Sequence, residues 1–499
     1  MKILLVHPNY PDSFWSFKHA LRFISKKAAL PPLGLITVSA MLPSTWEKKL
    51  IDMNVAPLNA KDIQWADYVF ISAMVIQRDS VQKIIDECIR LGVKIVAGGP
   101  MFTQDFANYP MIDHQILNEA EVTLPLFLKD LAEGRAQKIY RTSEFPDITA
   151  TPAPDFQLLS QKNYAFMNIQ VSRGCPFSCE FCEITSLFGH KVRMKSTMQI
   201  LNELDKLFDL HWRGNVFIVD DNFIGNKKVI KQELLPAMKI WMQKHKHPFV
   251  FNTEASIDLA DDKELLQLMA ETGFNSVFIG IETPEEKSLH ECNKVQNKNR
   301  DLIESIKIIQ AAGLQVSGGF IVGFDSDSPS VFQRQIDFIQ QSGIVSAMVG
   351  LLNAPKNTKL YDRLESENRL TVETTGNNTD YSMNFVPRMD QQELMTGYKK
   401  IIRDIYTTKP YYNRIRNLLR TYKPQNSNPM KFDIIALMAF VKSIIIIGVI
   451  NRGRADYWKF MIWTFFKKPS LFVDAVSFSI YGYHFRTVYG LKSNRFRRN

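Results

Sequence analysis

Gly174-Cys175-Pro176-Phe177-Ser178-Cys179-Glu180-Phe181-Cys182 sets three thiols at i, i+4 and i+7 near the middle of a 499-residue chain that has five cysteines in all. Three soft ligands on one short loop can hold a metal ion or an iron–sulfur cluster, and three are one too few to close a tetrahedral site. The coordination position left over is where a reacting molecule would bind. A zinc site completed by His190 is the competing reading; eight residues beyond Cys182, that histidine fits ordinary finger spacing poorly. Cys88 and Cys292 lie far from the loop and from each other, so a disulfide framework is not indicated and a reducing, cytoplasmic compartment fits.

Working outward, the loop follows the apolar run Asn168–Val171, and further strand-like runs recur at Val216–Val219, Phe249–Thr253, Ser276–Gly280, Gln315–Val322 and Ser346–Leu352. Helical patterns such as Met198–His211 and Lys263–Thr272 fill the gaps. Six parallel strands with crossover helices predict a (β/α)6 partial TIM barrel, whose functional residues cluster at strand C-terminal ends. The cysteine loop sits at such an end.

Upstream, residues 1–145 alternate the runs Ile3–Val6, Lys49–Asp52, Tyr68–Ser72, Lys94–Ala97 and His114–Leu117 with amphipathic segments. One of these, Arg78 to Leu91, carries Val81, Ile84, Ile85 and Ile89 at helical spacing. This is the alternation of a doubly wound parallel sheet, a Rossmann-like α/β domain that binds ligands beyond its strand ends. Those ends carry Asn9, Asn54, Ser72, Met74, Gly98 and Gly99. The N-terminus is too short an apolar run for a signal peptide. A Pro-rich linker (146–160) leads to the barrel (161–388).

From 389 to 499 the pattern turns mainly helical, with Leu394, Tyr398, Ile401, Ile402 and Ile405 on one face. The region from Arg388 onward has 21 Lys and Arg against 6 Asp and Glu, a net +15 in a chain whose total is +10. Phe432 to Ile450 is a dense apolar run interrupted by Asp433 and Lys442, and a central lysine disfavours a membrane span. Basic and aromatic residues beyond it, among them Lys459, Trp463, Phe465, Phe466 and Lys467, suit a membrane interface; a helix packed on the barrel is the alternative. A nucleic-acid binder is disfavoured, because the aromatics lie in apolar runs and not on an exposed stacking platform.

The Cys-xxx-Cys-xx-Cys loop after a first barrel strand resembles the radical S-adenosylmethionine superfamily. The resemblance implies that Cys175, Cys179 and Cys182 hold a 4Fe–4S cluster whose open iron chelates S-adenosylmethionine, with Phe181 packed near the adenine. It extends to Asp220 and Asp221 after the second strand, Glu254 after the third and Glu282 after the fourth, and to Gly319 and Gly323 on the fifth. The first domain resembles the cobalamin-binding module of one branch, in Pro31-Pro32-Leu33-Gly34-Leu35, Gly98-Gly99-Pro100 and Asn118-Glu119-Ala120-Glu121. This makes Glu119 and the strand-end residues above expected cobalamin contacts. One departure is plain: Asp52-Met53-Asn54-Val55-Ala56-Pro57 lacks the His that ligates cobalt in the more widespread cobalamin module.

Within the branch, Pro11 to Phe17, Ile71 to Met74, Val216 to Lys227 and Leu352 to Pro355 are similar to hopanoid methylases that share a C-terminal helical extension. The likeness implies a cobalamin-dependent C-methyltransferase acting on a hydrophobic, hopanoid-like lipid, fed electrons by a flavodoxin or ferredoxin, in the cytoplasm or peripherally at the inner face of the membrane. The alternatives are a radical cyclase, rearrangement or oxidation enzyme without methyl transfer, and a non-catalytic cobalamin or cluster sensor. A methylthiotransferase is disfavoured, since a second cysteine-bound cluster would have only Cys88 in the first domain.

Overall fold

The strands form two parallel sheets, and the inner strands of the first, such as Lys2–His7 and Tyr68–Ser72, are apolar runs buried on both faces. The computed structural model describes residues 1–424 and 434–491. Phe432 and Asp433, at the head of the apolar run, and the basic residues from Lys492 onward lie outside the described residues. The first sheet comprises β1 (Lys2–His7), β2 (Glu47–Asp52), β3 (Tyr68–Ser72), β4 (Lys94–Gly98), β5 (His114–Ile116) and the two-residue β6 (Ile139–Tyr140), in the order β2-β1-β3-β4-β5-β6. The switch point falls between β1 and β3, and ligands bind doubly wound sheets beyond the strand ends at such a point. In helix Arg78–Leu91 the buried positions are Val81, Ile84, Ile85 and Cys88; Ile89, expected on that face, is 53% exposed, and the smaller Cys88 takes its place against the sheet.

The second sheet comprises β7 (Met167–Ile169), β10 (Gly214–Ile218), β11 (Phe249–Glu254), β12 (Phe274–Glu282), β13 (Gln315–Val322) and β14 (Ala347–Leu351), in sequential order with β7 and β14 at its edges. Between β7 and β10 runs a two-stranded antiparallel ribbon, β8 (Ser172–Arg173) with β9 (Arg193–Met194), which closes the cysteine loop at its base. Side chains of the sheet alternate. Phe251, Thr253, Val277, Ile279 and Ile281 are buried, whereas Asn252, Glu254, Ser276, Phe278 and Gly280 are half-buried. The outward face is filled by helices, and the inward face lines a chamber.

The C-terminal helices protect the open edge of this sheet. Tyr406 and Tyr398, on helix Gln391–Tyr406, donate to the β14 carbonyls of Ala347 (2.6 Å) and Val349 (3.0 Å), groups that an edge strand would otherwise leave bare. Arg414, on helix Thr408–Thr421 and fully buried, donates to Ile405 O and Val345 O. Helix Phe472–Val488 grips the first domain: Phe485 stacks on Phe14 at 4.3 Å, and the imidazole of His484, kept neutral by burial, donates to Phe14 O at 3.0 Å. That grip places the neighbouring Trp15 over the barrel, edge-on to Phe278 and donating to Met348 Sδ.

Candidate active site

The cysteine loop has no regular structure apart from one short helix, Ile184–Phe188, so other elements must fix it. Beneath it, Asp220 accepts from the Val171 amide (2.8 Å) and the Ser172 hydroxyl (2.6 Å). At its base the positive-φ Gly174 packs against the 188–191 turn, where a Cβ would lie 2.8 Å from Lys191 O and 2.9 Å from Gly189 O. On the far side the segment Cys292–Asn297 clasps it: the Glu180 amide donates to Cys292 O and the Asn293 side chain to Ser178 O. Arg363 holds Glu180 at 2.7 Å and Asp325 at 2.8 Å.

The first domain holds the loop by charge. Arg173 and Arg193 stand directly opposite each other across the β8–β9 ribbon, an arrangement that by itself is repulsive. Glu119 binds both, at 2.6 Å to Arg173 and 2.7 Å to Arg193, and Glu121 binds Arg173 at 2.8 Å. Burial alone would raise Glu121, but Arg173 outweighs it and holds the carboxyl below its ordinary value.

The three thiols are half-buried. Burial pushes Cys182 up to about 12 and also raises Cys175. Opposing it, the Ile184 amide donates to the Cys182 sulfur, the Phe177 amide to the Cys175 sulfur, and Lys294 lends positive charge to both. Gln296 Nε2 lies 3.9 Å from Cys179 Sγ. Burial would lower Lys294, yet Glu282 and the thiols of Cys179 and Cys182 raise it, so it stays an ammonium, 2.6 Å from Glu282. Glu282 follows a bulge in β12 with φ +62°, and Gly280 makes room for the pair: a Cβ there would strike Glu282 Oε1 and sit 2.8 Å from Lys294 Nζ.

Amides and a cation around sulfur suit thiolates bound to iron. Among the described residues no three His, Cys, Asp or Glu side chains converge as the ligands of one ion would. A cubane asks for a different arrangement, one thiolate for each of three irons. His190 is exposed on the surface.

Two further carboxylates face the chamber. Burial and the neighbouring Asp220 push Asp221 up to about 7; burial and Asp221 push Glu254 up to about 8. Adjacent acids that resist ionising together are suited to a cationic ligand. Nearby, Asn252 Nδ2 and Gln296 Oε1 are buried without a protein partner. Phe181 packs with Phe324, Leu352 and Met383 beside the site, Gly319 abuts the Phe278 ring, and Gly323 (φ +106°) lies against Met383 and Leu394.

Three of the expected cofactor contacts have protein partners in the structure. Asp220 is 1% exposed with both oxygens taken, so it anchors the loop and Asp221 is the acid that faces the chamber. Glu119 spends both oxygens on arginines and is an interdomain tie. Asn54 is occupied by Pro8 O, Asp52 and the Tyr10 amide, and locks two strand ends together. Of the other strand-end residues, Asn9 and Met74 are exposed and Ser72 half-buried, and Gly99 (φ +89°) is required by packing, since a Cβ would lie 2.6 Å from Ser72 Oγ. Sequence reasoning missed Lys294, Arg173, Arg193 and Trp15.

A polar cavity of about 550 Å³ opens between the ends of β4 and β5 and the segment after the cysteines, lined by Thr103, Asn118, Arg141 and Ser186 among others. No histidine follows β2, and His7, at the end of β1, is buried.

Comparison with known proteins places this site in a family. The model of the radical SAM superfamily matches residues 169–339, and that of a domain of unknown function (DUF4070) matches 358–495. An uncharacterized methyltransferase of Synechocystis sp. is 41% identical over 490 residues, 97% of this chain and 91% of that protein. Hopanoid C-2 methylase of Rhodopseudomonas palustris is 32% identical over 482 residues, 92% of this chain and 89% of that one. Among solved structures, the cobalamin-dependent S-adenosylmethionine radical enzyme OxsB with aqua-cobalamin aligns with a TM-score of 0.63 at 14% identity, over 99% of this chain and 82% of that one. The radical S-adenosylmethionine methyltransferase TsrM of Kitasatospora setae, with cobalamin and a [4Fe-4S] cluster, gives 0.60 at 13% identity over 92% and 98%. The chain belongs to the family of hopanoid C-2 methylase and related methyltransferases, and its barrel carries the radical S-adenosylmethionine domain.

Proposed function

We propose that this enzyme methylates an unactivated carbon of a hydrophobic, hopanoid-like polycyclic lipid, working from the cytoplasm at the inner face of the membrane with electrons from a flavodoxin or ferredoxin. The observation that carries the reading is the chamber itself: a three-thiol loop at its rim, acids able to accept a cation beside it, and an apolar wall of Trp15, Phe278 and Met348 opposite. When bound, the cluster would supply the electron that cleaves S-adenosylmethionine and cobalamin would supply methyl transfer.

The chain's own residues do the rest. Cys175, Cys179 and Cys182 would hold the cluster, with Lys294 and the loop amides balancing sulfur charge. Asp221 and Glu254 would take the cationic amino group, and Glu282 the ribose side. Phe181, Gly319 and Gly323 would accommodate the adenine. Asn9, Ser72, Met74, Gly98 and Gly99 would border cobalamin beyond the strand ends of the first domain, the place where doubly wound sheets bind ligands. With no His after β2, that loop would offer cobalamin no imidazole. Trp15 closes the chamber against water, which a reactive radical requires.

The test is anaerobic reconstitution with reductant and S-adenosylmethionine, followed by lipid mass spectrometry of a deletion strain. The parent forms 5′-deoxyadenosine and Cys179→Ala does not; a lipid one methylene heavier disappears from the deletion strain. Full activity in Cys179→Ala would refute the radical reading. An unchanged lipid profile would refute the substrate.

A further inference from the structure

Exposed apolar side chains are unevenly distributed. Among the described residues 25 large hydrophobic side chains face solvent, and 12 of them lie between residues 434 and 466. In the helical stretch 434–450, Met438, Val441, Ile445 and Val449 recur every three or four residues on one face, while Ala439, Ser443 and Ile447 on the other are buried against the protein. Helix Arg454–Lys467 repeats the pattern: Tyr457, Phe460, Met461 and Thr464 are buried, and Trp458, Ile462, Phe465 and Phe466 look outward, the last three 54–74% exposed. The two stretches cross at Gly448, whose carbonyl accepts from the Trp458 indole at 2.9 Å, so the outer stripes adjoin. A helix that is apolar all round belongs inside a protein or against lipid. Among the described residues no helix is long and apolar enough to cross a membrane.

Charge selects what covers this face. Residues 434–468 contain six Lys and Arg and a single acid, Asp456, which accepts from the Thr408 hydroxyl. Arg452, Arg454, Lys459 and Lys467 are exposed around the stripes. A second copy of the chain seated symmetrically here would bring like cations together without carboxylates to answer them. Phosphate headgroups answer them directly.

We propose that this helical pair is a monotopic anchor, whose outer apolar stripes enter the interfacial layer of an anionic bilayer while the surrounding cations hold the headgroups. The anchor deepens the lipid-substrate reading and rests on it for its purpose; its physical basis is the surface alone. It connects to the chamber: Phe465 and Phe440 both contact Phe472, and the helix that Phe472 begins grips Phe14 beside Trp15.

The experiment is co-sedimentation of the reconstituted full-length enzyme with vesicles of phosphatidylcholine alone or mixed equally with phosphatidylglycerol, at low and high salt. Binding is expected to the anionic vesicles and to weaken with salt. Each buried phenylalanine is worth on the order of 10-fold or more in partitioning, so Phe465→Ser with Phe466→Ser should lower binding by roughly 100-fold. Each cation near an anionic surface is worth about fivefold, so Lys459→Gln with Lys467→Gln should lower it by roughly 25-fold and flatten the salt dependence. Unchanged thermal melting and 5′-deoxyadenosine formation show that the variants are folded and the radical site is intact. Absence of vesicle binding by the parent, equal binding by the phenylalanine variant, or a dimer abolished by that variant would each overturn the anchor. Vesicle binding without any methylated lipid leaves the anchor standing and removes the substrate; methylation without vesicle binding does the reverse.

Discussion

Glu119→Gln tests how the first domain holds the cluster loop. In the parent, Glu119 and Glu121 balance Arg173 and Arg193, with side chains 3–12% exposed and contacts of 2.6–2.8 Å. The substitution leaves a buried net charge of one and two arginines facing each other across the ribbon. Breaking a buried pair from one side costs about 3–5 kcal/mol. At about 2–4 °C for each kcal/mol in a folding unit of ordinary size, the melting temperature of the apoprotein should fall by about 10 °C. Adding Arg193→Met restores neutrality and relieves the repulsion, so the double variant should recover most of the loss, because a buried pair exchanged for apolar side chains is close to neutral. Calorimetry or thermal circular dichroism measures both, and iron content after reconstitution reports the loop. If Glu119 served instead as a cobalamin contact, Glu119→Gln would lose cobalamin with little change in melting, and Arg193→Met would not rescue it. A fall below about 2 °C, or a double variant no better than the single one, would refute the tie.

Glu254→Gln removes a carboxyl raised to about 8 by burial and by Asp221. A group raised in the folded state contributes its stability fully below its unfolded pKa and loses it as pH climbs through the folded value. The apo parent should therefore weaken by roughly 2–4 kcal/mol between pH 5 and pH 8, and Glu254→Gln should flatten that slope in melting curves; identical slopes would refute the assignment. Gly280→Ala drives a methyl group into the Glu282–Lys294 pair and should reduce 5′-deoxyadenosine formation by roughly 5- to 150-fold, on a loss of roughly 1–3 kcal/mol of positioning; parent-like rates would show the pair to be dispensable. Trp15→Ala opens the chamber above Phe278 and should leave 5′-deoxyadenosine formation intact while lowering methylated product per radical formed; unchanged coupling would remove Trp15 from the chamber wall.

The strands were legible in two ways: Tyr68–Ser72, buried up to its last residue, reads as a nearly unbroken apolar run, and Gln315–Val322 is picked out by buried Val316, Phe320 and Val322 at even spacing. Pairs such as β6 and β8–β9 are two residues long, too short for any periodicity. The thiols were legible from spacing alone. Their supports were not: Arg173 meets Glu119 across 54 positions and Arg363 meets Glu180 across 183, and nothing local in a charged loop residue names a partner that distant. Asp220 and Asp221 illustrate a finer limit. Successive side chains point to opposite sides, so one of two adjacent acids must turn into the protein, and only the Val171 and Ser172 donors decide which.

The supports explain why a loop with so little regular structure can carry the chemistry. A segment without a hydrogen-bonded ladder or an apolar core is ordinarily among the first parts of a protein to open. Here it is tied at three places: Arg173 to the first domain, Glu180 to Arg363 beyond β14, and the Val171 amide to Asp220 of the barrel. The three cysteines therefore take their position from both domains at once. Any shift of the first domain relative to the barrel must strain the Glu119–Arg173 contact one residue before Gly174, which makes the spacing between the strand ends of the first domain and the thiols a property of that contact. A loop tied only to the barrel would leave the same spacing to whatever happened to pack between the two domains.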